Sequence, residues 1–138
     1  GRGGTTHLEM VRGGVVSATW LSQQLRSGGP TAVRVLDATW SLPGSPFAVP
    51  DGSTPLEAFT TGPRIPGSRF WDLDLWSEAA AAPSTPHNLP TREQVARACK
   101  ACGVDGRRPV VVYDQFGVFS SPRLWFTLRY FGLADVAV

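Results

Sequence analysis

The sequence predicts an α/β domain on a mostly parallel sheet, and three observations carry that prediction. Short β-branched or apolar runs alternate with helix-length stretches along the chain, as in a succession of βα units. One run, Val110-Val111-Val112-Tyr113, is continuously apolar, as befits a strand covered on both faces. That run enters a six-residue loop, 114–119, which opens a further helix-length stretch. Such strand–loop–helix units are the building blocks of parallel sheets.

Each element has its own signal. Residues 1–14 carry Gly1, Gly3, Gly4, Gly13 and Gly14 and read as a flexible tail. Val15-Val16 begins a strand. Ser17 caps a helix over 18–26 with Leu21 and Leu25 on one side, and Gly28-Gly29-Pro30 ends it. Residues 33–37, Val-Arg-Val-Leu-Asp, read as a second strand. Residues 41–55 hold Pro43, Gly44, Pro46, Pro50, Gly52 and Pro55 and predict a long surface loop. A short helix is expected over 56–61, a tight bend over 62–67 and a strand over 68–72. The alanines at 79–82, closed by Pro83 and Pro86, fit a helical turn or a loop. Thr91 with Gln94 has the spacing of a capping box. Behind it Val95, Ala98, Cys99 and Cys102 form a stripe that Gly103 ends. After the apolar run at 110–113, Ser120 and Pro122 start a helix that Gly132 stops. Residues 136–138 open another strand with no helix after it, which predicts a second unit beyond Val138.

Composition narrows the function classes. The 138 residues suit one domain of 15–138 behind the tail. Only 17% are charged, against roughly 25% in average soluble domains, and Trp occurs five times. That is not the composition of a disordered segment. No apolar run approaches the roughly 20 residues of a membrane-spanning helix. Of the 13 basic residues only Lys100 is lysine, and the arginines are scattered, with Arg107-Arg108 the sole adjacent pair. A nucleic-acid partner would ask for a stripe or patch, so none is expected. Two cysteines do not make the framework of a small secreted domain, and no secretory signal opens the chain. The start at Gly1 predicts a processed or excised piece.

Three candidate chemistries remain. Cys99-Lys100-Ala101-Cys102 has the spacing of a redox pair, but it lies at the end of its helix. There the dipole raises a thiol pKa instead of lowering it. A zinc site would recruit His7 and His87, one in the tail and one in a proline-rich loop, and no metal is expected. The loop after Val110-Val111-Val112-Tyr113 is the third. Backbone amides converge where a parallel strand hands over to a helix N-terminus, and they cradle anions. A cysteine at the first loop position would be activated there as a thiolate. This chain has Asp114 instead. A carboxylate accepts the amides but is a poor acceptor of sulfur, and it repels an anionic substrate. The loop reads either as a transferase site without its nucleophile or as an ordinary connection capped by an aspartate.

At these residues the chain resembles a family, the two-domain thiosulfate and 3-mercaptopyruvate sulfurtransferases, and within it the N-terminal rhodanese domain. Val35-Leu36-Asp37-Ala38-Thr39-Trp40 resembles the family's "VLDASW", and Ile65-Pro66-Gly67-Ser68-Arg69-Phe70-Trp71-Asp72 its "IPGARFFD". His87-Asn88-Leu89-Pro90 resembles "HMLP", and Phe119-Ser120-Ser121-Pro122-Arg123-Leu124-Trp125 resembles "FSAPRVWW". The ordered set covers nearly all of 15–138. The resemblance implies a rhodanese-like, five-stranded mostly parallel sheet with helices on both faces.

It also implies a function for the parent protein: transfer of sulfane sulfur from thiosulfate or 3-mercaptopyruvate to cyanide or a thiol. The sulfur would ride on a Cys persulfide of a C-terminal rhodanese domain, which is the implied partner, and no cofactor is called for. This chain would be inactive alone, because Asp114 stands at the nucleophile-equivalent position. Trp40 and Phe119 match aromatics that line the cleft. Arg64 stands where the family often has a catalytic histidine, so it either attracts an anionic substrate or pairs across the domain interface. A mitochondrial and a cytoplasmic location are both compatible with this reading. The alternative is a non-catalytic rhodanese-like module that binds a protein.

Overall fold

A computed structural model of the chain describes residues 14–29, 32–77 and 87–138. The elements in order are α1 (Ala18–Gly28), β1 (Arg34–Asp37), a single 3-10 turn (Pro50–Gly52), α2 (Pro55–Thr61), β2 (Arg69–Phe70), α3 (Arg92–Ala101), β3 (Val110–Tyr113), α4 (Ser121–Tyr130) and β4 (Val136–Ala137). The strands form one sheet in the order β2-β1-β3-β4, and every neighbouring pair is parallel.

The apolar run of β3 serves both faces because successive side chains point to opposite sides. Val110 and Val112 join Leu36, Trp71, Val95, Ala98, Leu124 and Leu128 beneath α3 and α4. Val111 turns the other way, to Val35 and to Trp20 and Leu21 of α1. Helices therefore lie on both faces. The alanines at 79–82 and most of the expected tail fall outside the described residues.

The strand count differs from expectation, with four strands among the described residues where five are implied. The missing one is Val15-Val16, and its backbone is nonetheless in place. The Val16 amide donates to the Val138 carbonyl and the Val138 amide donates to the Gly14 carbonyl, both at 2.9 Å. Those two bonds straddle Val138 as a parallel neighbour's would. Gly14 thus belongs to this ladder rather than to the tail. The third strand is also shorter than expected, two residues instead of five: the Ser68 amide turns back to the Ile65 carbonyl, and the Trp71 amide makes the last ladder bond, to the Asp37 carbonyl.

Helix ends explain themselves locally. Thr91 and Gln94 make the expected reciprocal capping box, at 2.9 and 3.2 Å. A second box, Thr54 with Glu57, starts α2 one residue early. It puts Pro55 at the first helical position, where its missing N–H is harmless. At the end of α3, Gly103 takes φ +70°. That lets the Val104 amide reach the Cys99 carbonyl at 2.8 Å, the αL stop that favours glycine. A Cβ at Gly103 would also come within 3.0 Å of the Arg34 guanidinium.

Candidate functional site

Parallel strands bring their carboxyl ends, and so the loops that follow them, to one edge of the sheet. The loop after β3 meets the loop after β1 there, and hydrogen bonds tie the two together. The Gln115 amide donates to Thr39 Oγ1 at 3.0 Å, and that hydroxyl donates to the buried Asp37 carboxylate at 2.6 Å. The Trp40 amide donates to Ser120 Oγ at 3.1 Å. Ser120 is therefore not the side-chain cap of α4 that its position suggests.

Asp114 does that work from six residues upstream. Its Oδ2 accepts the amides of Phe119, Ser120 and Ser121 at 2.9, 3.0 and 2.8 Å, and its Oδ1 accepts Phe116 at 2.9 Å. The loop folds around its own carboxylate. Burial pushes the Asp114 carboxyl up, but the amides of Ser121, Phe119 and Phe116 outweigh it and hold it below the ordinary carboxylate value. The anion cradle is real and is filled from within. No nucleophile stands at the head of the loop.

Outside the loop lies an aromatic surface. Phe119 stacks on Phe47 with centroids 4.1 Å apart and lies 6.1 Å from Trp40. Trp40 and Phe119 share a cavity of about 280 Å³ with Trp71, Trp76, His87 and Arg123. Asp74 organises one wall. Its Oδ1 accepts Trp40 Nε1 at 3.1 Å and lies 3.1 Å from His87 Nδ1. The Arg123 guanidinium holds the His87 carbonyl.

Comparison with known proteins identifies the family. No family model matches the chain. Curated relatives do. Over 124 residues it is 38% identical to thiosulfate/3-mercaptopyruvate sulfurtransferase 1, mitochondrial, of Arabidopsis thaliana, covering 90% of this chain and 30% of that protein. It is 30% identical to the 3-mercaptopyruvate sulfurtransferase of Escherichia coli K12, covering 89% of this chain and 40% of the relative. Among solved structures, the Tum1 protein of Saccharomyces cerevisiae superposes with a TM-score of 0.76 at 32% identity, over 90% of this chain and 38% of that one. Escherichia coli SseA, described with the rhodanese fold of 3-mercaptopyruvate sulfotransferases, gives 0.72 at 29% identity over 90% and 43%. The chain is a rhodanese-fold domain of the thiosulfate/3-mercaptopyruvate sulfurtransferase family. It spans less than half the length of each of these relatives.

Within this rhodanese domain the sequence-predicted residues divide. Trp40, Phe119 and Asp114 come together at the sheet's carboxyl edge. Arg64 does not line their cavity. Its Nη1 donates to the carbonyls of Phe59 and Thr60 at 2.7 and 3.1 Å, and its guanidinium lies over the Phe59 ring. It caps the end of α2, where a cation meets the negative pole of the helix.

Four residues of the site were not singled out as cleft residues from the sequence: Phe47, Trp71, Trp76 and Asp74. One signal was present. Trp71 follows β2 as Trp40 follows β1, and residues just past parallel strands reach this edge. His87 entered the sequence reading only as a landmark and a possible zinc ligand; in the fold it is a cavity wall.

The cysteines face the core of the domain. Cys102 is buried and directs Sγ at the Phe70 carbonyl at 3.5 Å. Burial and then the neighbouring Cys102 push the Cys99 thiol up to about 11. Burial also raises Cys102, although Arg69 and Arg34 oppose it. Thiolate is the reactive form. Iodoacetamide at pH 8 is therefore expected to leave both cysteines unmodified in the folded chain and to label both in urea. Rapid native labelling of either would refute their assignment as packing residues.

Proposed function

We propose that this domain is the N-terminal, persulfide-free half of a two-domain sulfurtransferase. The whole enzyme would take sulfane sulfur from thiosulfate or 3-mercaptopyruvate and pass it to cyanide or a thiol. The sulfur would be carried as a Cys persulfide on a C-terminal rhodanese domain, without metal or organic cofactor. The observation that carries the reading is Asp114. Its carboxylate holds four loop amides at 2.8–3.0 Å, so the loop has neither a nucleophile nor room for an external anion.

The role left for this half is a wall of the cleft. Trp40 and Phe119 supply its aromatic surface. Arg64 adds a positive charge that draws an anionic donor toward the same edge or pairs with the partner domain. Beside the cavity Phe47, which stacks on Phe119, and Leu42, whose amide donates to the Phe47 carbonyl, stand 37% and 41% exposed, an apolar rim suited to a docked C-terminal domain. A non-catalytic module that binds a foreign protein would use the same rim. One relative is named as mitochondrial, and either a mitochondrial or a cytoplasmic home suits this reading.

The test is thiocyanate formation from thiosulfate and cyanide, with 3-mercaptopyruvate as a second donor. The 138-residue chain alone is expected to show none above the blank, and the full-length protein to turn over. In the full-length protein, Trp40→Ala is expected to lower kcat/KM about tenfold, in line with ~1.4 kcal/mol per decade. Turnover by the isolated chain would overturn the assignment. A full-length protein without turnover would favour the binding module.

A further inference from the structure

The cavity wall holds a histidine–carboxylate pair that none of the preceding roles uses. Asp74 Oδ1 lies 3.1 Å from His87 Nδ1. A carboxylate oxygen only accepts, so in the neutral ring this bond puts the hydrogen on Nδ1 and leaves the lone pair on Nε2. The pair is held from several sides. Asp72 Oδ1 accepts the amides of Asp74 and Leu75 at 2.9 and 3.1 Å and fixes the turn that presents Asp74. Trp40 Nε1 donates to the same Asp74 oxygen, and the Trp40 ring meets the imidazole edge-on with centroids 5.2 Å apart. Arg123 binds the His87 carbonyl. His87 is one of two non-glycine described residues with positive φ, at +64°. A backbone that L side chains avoid persists only where its surroundings enforce it. The ring so fixed lines the cavity with Trp40 and Phe119.

We propose that His87 Nε2 is the general base for a thiol acceptor entering this cavity, with Asp74 as its positioning residue. This rests on the sulfurtransferase reading above. As the acceptor R–SH attacks the outer sulfur of a Cys persulfide, Nε2 takes its proton. The new S–S bond forms between the acceptor sulfur and the outer sulfur. The bond from that outer sulfur to the Cys sulfur breaks, and its electron pair leaves with the Cys as thiolate. The sum R–SH + Cys–S–SH + His → R–S–SH + Cys–S⁻ + HisH⁺ balances in atoms and charge and needs no external oxidant. The imidazolium can then return the proton to the Cys thiolate. Cyanide ion has no S–H proton to give up and so does not use the base.

The experiment compares acceptors in the full-length sulfurtransferase. His87→Gln is expected to lower kcat/KM with a small thiol acceptor at least tenfold more than it lowers transfer to cyanide. Added imidazole should restore part of the thiol reaction in His87→Gly. In the 138-residue chain, ¹⁵N-imidazole NMR should show His87 with its hydrogen on Nδ1, and Asp74→Asn should weaken that preference. Equal losses with both acceptors, no loss with the thiol, or a ring with its hydrogen on Nε2 would each overturn the proposal while cyanide turnover left the sulfurtransferase reading standing. A wild-type protein inactive with both acceptors would overturn that reading, and this role with it.

Discussion

Asp114→Ala is expected to destabilise the chain by about 3 kcal/mol in urea unfolding, because it takes a shared acceptor from four loop amides at once. The carboxylate is 6% exposed and is the acceptor for the amides of Phe116, Phe119, Ser120 and Ser121. A buried amide without an acceptor costs about 1–3 kcal/mol, and water entering the emptied loop recovers part of that for the outer pair. Asp114→Asn should fall between, because its NH2 group faces donors. Ser120→Ala removes one bond, to the Trp40 amide, and should lose about 1 kcal/mol. A loss under 1 kcal/mol for Asp114→Ala would mean that the loop holds its shape without the carboxylate.

The same substitution empties an anion cradle at a helix N-terminus. Sulfate or phosphate should then raise the stability of Asp114→Ala with concentration, as a ligand of the native state does. At matched ionic strength neither should stabilise the wild-type loop.

The acid response follows from the sign of the shift. Asp114 is held below the ordinary value, and its unfolded value is about 3.9. Its contribution is therefore complete above about pH 4 and is lost as pH falls through the lower, folded value. Wild type should lose stability over that window, and Asp114→Ala should show a shallower acid slope.

The elements that the sequence made legible are those whose signals are local. Val110 to Tyr113 needed only its unbroken apolar run, Thr91 and Gln94 only their spacing, Gly103 and Gly132 only their place after a stripe. Two things were not legible, for related reasons. The strand at Val15-Val16 is read from its apolar pair, but its pairing rests on two backbone bonds to Val138, 122 residues on from Val16, which no local pattern announces. The cavity depends on contacts between loops far apart in the chain. Asp74 reads as an ordinary surface acid until the fold brings Trp40 and His87 to the same oxygen. Arg64 carries the opposite lesson. Its position in a family motif suggested the cleft, and its own carbonyl partners in α2 lie four and five residues away.

Trp71 is where the site and the core are the same object, and Trp71→Ala carries the other large expected effect. The side chain is 1% exposed and packs with Leu36, Val112 and Leu124 under α4. Its amide donates to the Asp37 carbonyl at 2.8 Å, which aims the indole inward as β2 ends. Truncating a buried tryptophan costs about 3–5 kcal/mol, because the void adds to the lost transfer energy. For a chain of this size that lowers Tm by roughly 4 °C per kcal/mol, or about 12–20 °C in all. Trp40→Ala should cost much less, about 1–2 kcal/mol, since that ring is half-buried and its loss leaves mainly the Asp74 bond unmade. The contrast separates two tryptophans that line one cavity of about 280 Å³. Trp71 is its floor, so removing it melts the domain. Trp40 is its wall, so removing it should spare the fold and alter what the cavity binds. Equal losses for the two, measured by thermal and urea unfolding, would show that the cavity is part of the core throughout and is not a cleft.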